Sequence, residues 1–290
     1  MSYYKIMGFD KEPFSTNPDP DFLYLSREYD LALTNILIEL RLKRGLSALL
    51  GDIGTGKTTL SRRLVKELCE REEFVFHTIL NPTFENEKEF LSSLIQNFQI
   101  PFPQDLASQT VPGMRDAFEK FLLHKNLTDR RTVVLLIDEA QKLSYETLES
   151  LRILLNYETN EFKLIQIVLF GQLELYSKLL VISNFYDRID FKFVLNPLGL
   201  EETKEMISFR LRHAGYKDAR PLFDNDAVRE IYYYAKGYPR GIIRLCHKCL
   251  RMLTMSRTAT TVTKDMVTEV VQKESDVQWN PAIVQQKKSS

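Results

Sequence analysis

The chain has 290 residues, 44% hydrophobic and 27% charged, with Lys+Arg and Asp+Glu both at 39 and a formal net charge of zero. That length holds one large domain or a core domain with a small companion, and the composition is ordinary for a soluble globular protein. Balanced charge offers no bulk attraction to nucleic acid or membrane, no apolar run approaches the ~18 residues that cross a bilayer, residues 1–10 do not read as a secretory leader, and the cysteines (Cys69, Cys246, Cys249) do not suggest a disulfide scaffold.

Residues 1–45 read as an entry arm and a helix that pack on the body. Pro13, Pro18 and Pro20 forbid a regular helix in the arm, and Phe9, Phe14, Phe22 and Tyr24 can anchor it. Ser26 is a candidate N-cap for a helix toward Arg44 with Leu33, Leu37 and Leu40 on one face, stopped by Gly45.

The apolar run 46–50 reads as a buried strand. It delivers Gly51-Asp52-Ile53-Gly54-Thr55-Gly56-Lys57-Thr58-Thr59, which contains the pattern G-x-x-x-x-G-K-[ST]. A helical pattern with Leu60, Leu64 and Leu68 follows. Each residue type has a reason to be there. Glycines let backbone N–H groups face phosphate oxygens, and the helix N-terminus adds its dipole. Lys57 is a point charge for β- and γ-phosphates, and the Thr58 hydroxyl can ligate Mg²⁺. Residues 51–59 are therefore the expected nucleotide cradle.

Next come a strand over 74–80, a helix over 87–98, a loop over 101–113 and a helix over 114–124. The apolar strand 132–137 then delivers Asp138-Glu139 at its C-terminal end, the Walker B pattern. Asp138 is the expected Mg²⁺ partner and Glu139 the base for the attacking water. A helix over 144–157 and a strand over 164–170 lead to Gln172, a candidate γ-phosphate sensor whose alternative is a solvated loop glutamine. A helix over 173–180, the segment 186–190 and a strand over 191–195 close this part. Repeated strand–helix alternation predicts a parallel sheet with helices on both faces over 46–197.

Pro197 and Gly199 mark a boundary. Helices over 201–214, 225–236, 240–257 and 264–274 predict a small all-helical lid over 198–274. Arg240, in the turn that opens the third of them, can swing over a nucleotide. The polar tail 275–290 is expected to be disordered.

An α/β P-loop core with an acid pair, a polar sensor and a helical lid resembles an AAA+ ATPase. The opening Gly8-Phe9…Pro13-Phe14…Pro18-Asp19-Pro20…Phe22-Leu23-Tyr24-Leu25-Ser26 narrows this. So do Ile137-Asp138-Glu139-Ala140-Gln141 and the run from Asn156-Tyr157-Glu158-Thr159 to Phe170-Gly171-Gln172. These stretches resemble the general-secretion-pathway protein A (ExeA/GspA) ATPases. The resemblance implies ATP with Mg²⁺, a homo-oligomer, and a partner in assembly of a bacterial type II secretion or pilus system. It implies that Arg188 acts in trans on a neighbour's nucleotide and that Arg240 is the lid sensor. Two positions depart from the family: Leu173 stands where a proline is common, and Tyr186 where a first arginine often stands. Larger relatives continue into a membrane span and a peptidoglycan-binding domain, neither expected in this chain. The expected location is the cytoplasm, with the inner membrane reached only through a partner.

Other readings stay open beside these. Arg188 can instead be a surface arginine paired with Asp187 or Asp190. Cys246-His247-Lys248-Cys249 lies in a helical pattern and lacks a second ligand pair, so metal or redox chemistry is not expected there. Lys236, Arg240, Arg244, Lys248, Arg251 and Arg257 form a basic run, a solvated face or a surface for nucleic acid. Nucleic acid is the alternative partner, which would make the chain a DNA-remodelling regulator of the transposition type; a nucleotide-gated scaffold with slow turnover is a third reading.

Overall fold

The computed structural model describes residues 2–102, 110–182, 184–218, 220–256 and 259–276, with side chains through 273. The chain runs α1 (Tyr3–Ile6), α2 (Arg27–Leu42), β1 (Leu46–Gly51), α3 (Lys57–Cys69), β2 (Phe74–Ile79), α4 (Glu87–Asn97), α5 (Val111–Leu123), β3 (Thr132–Ile137), α6 (Tyr145–Leu154), β4 (Ile165–Gly171), α7 (Glu174–Val181) and β5 (Ile189–Leu195). Helices α8 (Leu200–His213), α9 (Asn225–Ala235), α10 (Pro239–Met255) and α11 (Lys264–Asp276) follow. They divide between two units, Pro18–Asn196 and Met1–Asn17 with Pro197–Ser290.

In the first unit the strands form one parallel sheet in the order β2-β3-β4-β1-β5. β1, β3 and β4 are buried along their whole length, which is why each reads as a predominantly apolar run broken only by Ser47 in β1, Thr132 in β3 and Gln166 in β4. β5 lies at the edge and alternates exposed residues with buried or partly buried ones. It begins at Ile189, before the expected 191, and a bulge opens where Leu46 pairs with Ile189 but Ser47 pairs with Phe191. β1 and β3 are separated by β4 alone, so the segments leaving their C-terminal ends converge at one crevice.

Local chemistry sets the helix ends. Ser26 accepts from the Tyr29 backbone N–H to start α2, whose buried face is Tyr29, Ala32, Leu33, Ile36 and Leu40. Ile36 takes the inward place expected of Leu37, as a 3.6-residue period requires. The helix ends in the left-handed residue Lys43 rather than at Gly45. α5 starts at Val111, earlier than the expected 114, because Thr110 caps the Gly113 N–H and Pro112 sits in the first turn, where it needs no N–H partner. Of the loop expected over 101–113, residues 103–109 lie outside the described residues.

The second unit is helical, with residues 2–17 as part of it. The Arg210 guanidinium, 5% exposed, donates to the carbonyls of Pro13 at 2.8 Å and Ser15 at 3.1 Å. Phe14 packs edge-on to Phe223, and Asp10 N–H donates to the Ala214 carbonyl. The arm expected over 1–45 is thus divided: residues 1–17 group with the helices and 18–45 with the sheet. On α10, Cys246 and Cys249 are buried beside Ile242, Leu245 and Leu253. Burial pushes the Cys249 thiol up to about 12 and raises the Cys246 thiol well above its ordinary value, so neither is a ready nucleophile or metal ligand. Arg240, Arg244 and Arg251 are exposed, while Arg257 and the tail beyond Asp276 lie outside the described residues. Among the described residues no helix is long and apolar enough to cross a membrane.

Candidate functional site

The loop between β1 and α3 is built around backbone that only glycine adopts easily. Gly54 and Gly56 have φ of 87° and 93°, the left-handed region that side chains resist. At Gly51 the constraint is space, since a Cβ there would stand 2.9 Å from Thr55 Oγ1 and 3.1 Å from the Leu195 carbonyl oxygen. Thr55 Oγ1 donates to the Asp52 carbonyl at 2.8 Å and braces the turn. α3 opens on Gly56 with no side-chain cap, so its first-turn N–H groups face the loop's concavity. Lys57 is the first residue of α3, and its Nζ donates to the carbonyls of Gly51 at 2.8 Å and Asp52 at 2.9 Å. Burial holds its pKa below the usual lysine range, against the pull of Glu139, Asp138 and Asp52. Thr59 follows on the same turn.

Asp138 leaves β3 with 3% exposure. Its carboxylate accepts from the Glu139 N–H at 2.9 Å, from Ser61 Oγ at 3.5 Å and from the Thr58 hydroxyl. Burial raises its pKa above the ordinary carboxylate value, and those donors only partly offset this. A buried carboxylate beside a threonine hydroxyl is a hard-oxygen pair that suits Mg²⁺. Glu139 has φ 54° and ψ 35°, a strained backbone for a residue with a Cβ, at a cost of about 1–3 kcal/mol.

Gln172 follows β4, which lies between β1 and β3. Its backbone N–H donates to Gln141 Oε1 at 3.0 Å, and Gln141 Nε2 donates to Glu139 Oε2 at 2.8 Å. Residues 51–59, Asp138, Glu139 and Gln172 therefore meet at the C-terminal ends of three adjacent strands.

Arg188 stands at the other end of the sheet. It precedes Ile189, which pairs with Leu46 at the start of β1. Its Nη1 donates to Asn156 Oδ1 at 2.5 Å and to the Arg152 carbonyl at 3.3 Å, not to Asp187 or Asp190. It lines a surface pocket of about 710 Å³ with Lys43, Arg44, Glu158 and Lys163. Arg240 belongs to the helical unit, exposed on the first turn of α10.

Other residues of this site were not singled out by sequence reasoning. Tyr29, 2% exposed on α2, donates its hydroxyl to the Thr55 carbonyl in the loop. Ser61 adds a second hydroxyl to Asp138, and its place one turn beyond Thr58 was a usable signal. Gln141 links the acid pair to β4.

Residues 40–179 match the family model for the AAA domain. That stretch, which takes in the phosphate loop, the acid pair and Gln172, is similar to an AAA domain. It is 34% identical over 252 residues to general secretion pathway protein A of Aeromonas hydrophila, an alignment spanning 86% of this chain and 44% of the relative. The resemblance read from the sequence stands on that alignment, although the chain spans less than half the relative's length. Solved structures share the fold at lower identity. Aeropyrum pernix ORC2, described with ADPNP and ADP, superposes at a TM-score of 0.64 with 19% identity, covering 95% of this chain and 74% of that one. Cdc6p of Pyrobaculum aerophilum gives 0.62 with 17% identity, over 90% and 70%. A Thermotoga maritima RuvB variant gives 0.56 with 19%, over 88% and 72%. The AAA+ parallel-sheet core and the helical C-terminal region are thus the fold expected from sequence.

Proposed function

We propose that this AAA-domain chain binds ATP with Mg²⁺, hydrolyses it, and uses the cycle to drive assembly of a bacterial type II secretion or pilus system. The observation that carries the hydrolysis reading is the meeting of residues 51–59, Asp138-Glu139 and Gln172 at three adjacent strand ends. Backbone N–H groups of the loop and α3 hold phosphate oxygens, and the Lys57 ammonium stabilises charge on the transferring group. The Glu139 carboxylate accepts a proton from the attacking water. Thr58 and Asp138 would hold Mg²⁺, which when bound supplies positive charge to the phosphate oxygens. Arg188, turned away from its own loop, serves a neighbouring copy, and Arg240 takes the sensor role that the family resemblance implies. The secretion role is supported by the likeness to general secretion pathway protein A, and on that reading the chain works on the cytoplasmic side of the inner membrane through its partner.

Two variants test the reading. Lys57→Ala should lose nucleotide binding, because the phosphates lose a direct charge. Glu139→Gln should bind ATP and turn over at least about 10²-fold more slowly, because the proton acceptor is gone. Tight ATP binding by the first, or wild-type turnover by the second, would sink it. A crosslinking pull-down with Glu139→Gln from source cells tests the partner.

The exposed arginines on α10 favour a second reading, DNA remodelling. It requires DNA binding that weakens steeply with salt, by about one unit of log–log slope per phosphate neutralised. Little DNA binding at physiological salt is the expected result; sub-micromolar, ATP-dependent affinity there would reverse the preference.

A further inference from the structure

Gln141 lies in the 3-10 turn Ala140–Lys142 that follows the acid pair and is 5% exposed. Both ends of its carboxamide are engaged. Nε2 donates to Glu139 Oε2 at 2.8 Å, and Oε1 accepts from the Gln172 backbone N–H at 3.0 Å. Its own carbonyl is held by Lys178 Nζ from α7 at 2.5 Å, and the same amine reaches the Leu143 carbonyl at 3.3 Å. A carboxamide is planar and rigid, so its oxygen and nitrogen move together. A displacement of the Gln172 backbone therefore reaches the Glu139 carboxylate through one side chain.

The carboxylate has reason to need such a hold. Glu139 leaves a left-handed backbone, and a catalytic base must be held close to its productive geometry to work. With Nε2 on Oε2, proton transfer from water falls to Oε1. We infer that Gln141 is a positioning residue that orients Glu139 as base and ties that orientation to the end of β4 through the Gln172 backbone. The inference rests on Glu139 being the base in the proposed hydrolysis. The rival role is structural: a buried glutamine that merely stabilises its turn.

The test compares Gln141→Leu, which removes both bonds, Gln141→Asn, which stays polar but is too short for both, Glu139→Gln, and the Glu139→Gln/Gln141→Leu pair. Nucleotide affinity and single-turnover hydrolysis are measured for each. We expect both Gln141 variants to keep ATP affinity within about twofold and to hydrolyse roughly 10–100-fold more slowly. The double variant should be no slower than Glu139→Gln alone, because the glutamine acts through the carboxylate. Near-normal hydrolysis by both Gln141 variants, affinity falling in step with rate, or a further loss in the double variant overturns the inference. An inert Glu139→Gln beside an unimpaired Gln141→Leu overturns it alone. Wild-type turnover by Glu139→Gln overturns the hydrolysis reading, and this inference with it.

Discussion

The Tyr29 hydroxyl donates to the Thr55 carbonyl, joining α2 to the phosphate loop. The contact fixes the carbonyl just ahead of Gly56, whose Cβ position lies 3.2 Å from the same hydroxyl. A loop meant to present N–H groups inward gains from having its carbonyls held elsewhere. Tyr29→Phe keeps the ring in the core and removes this bond, worth about 0.5–1.5 kcal/mol. Nucleotide affinity should fall roughly 2–10-fold, measured by titration with a fluorescent nucleotide. Unchanged affinity would show that the loop holds its shape without α2.

The raised pKa of Asp138 has a sign that can be checked. Burial favours the protonated acid in the folded chain, so the stabilisation from proton uptake is complete below the ordinary aspartate range, near ~3.9. It is lost as pH rises through the folded value, leaving a buried carboxylate at neutral pH as a cost to stability. Asp138→Asn should therefore raise Tm at pH 7, by about 2–4 °C for each kcal/mol relieved, while Mg²⁺-dependent turnover disappears. The gap between variant and wild type should narrow as pH falls through the raised pKa. A variant less stable than wild type at pH 7 would mean that the donors from Glu139 and Thr58 outweigh the burial.

How legible all this was in the sequence depended on range. The phosphate loop and acid pair are contiguous motifs at the ends of buried parallel strands, and such strands appear as predominantly apolar runs. Tyr29 was hidden because a tyrosine whose hydroxyl reaches a distant carbonyl has the same helical spacing as one that only fills the core. Gln141 stands in a run that resembles the family, but its bond to the Gln172 backbone is a product of strand order, with β4 inserted between β1 and β3. The start of α5 was misplaced because Pro112-Gly113 signals a loop in isolation, yet proline is acceptable in a first helical turn. The division of the entry arm depended on Arg210, 197 positions from the Pro13 carbonyl it holds.

Among the described glycines of the helical unit, Gly237 has the least room for a methyl group. It has φ 75°, and a Cβ would stand 2.1 Å from the Leu198 carbonyl oxygen, beside the bond from Leu198 N–H to the Gly237 carbonyl. Gly237→Ala must move backbone and should cost roughly 2–3 kcal/mol or more. Gly8 shares the left-handed conformation (φ 79°) but has nothing within 4 Å of its Cβ position, so Gly8→Ala should cost only about 1 kcal/mol. Chemical denaturation of both variants reads the difference, and equal losses would assign the whole effect to backbone conformation.

The last prediction concerns Arg188, which precedes the residue paired with Leu46. β1 runs from there to Gly51, and at about 3.3 Å per residue the strand alone separates Arg188 from the phosphate loop by ~17 Å. An arginine side chain does not cross that distance, so any action on a nucleotide must fall on another copy's. Asn156 and the Arg152 carbonyl hold the guanidinium at the edge of a surface pocket, which lowers the entropy lost on engaging a phosphate. Arg188→Ala should bind ATP normally and hydrolyse it on the order of 10³-fold more slowly, the scale of an arginine supplied in trans. Mixed with Lys57→Ala, which offers its own Arg188 but cannot bind nucleotide, it should recover part of its activity. Wild-type turnover per chain should rise with protein concentration. The competing role is structural, a brace for the segment between α6 and β4. That role predicts a lower Tm for Arg188→Ala, no rescue in the mixture, and turnover independent of concentration. Those three results together would remove Arg188 from the reaction.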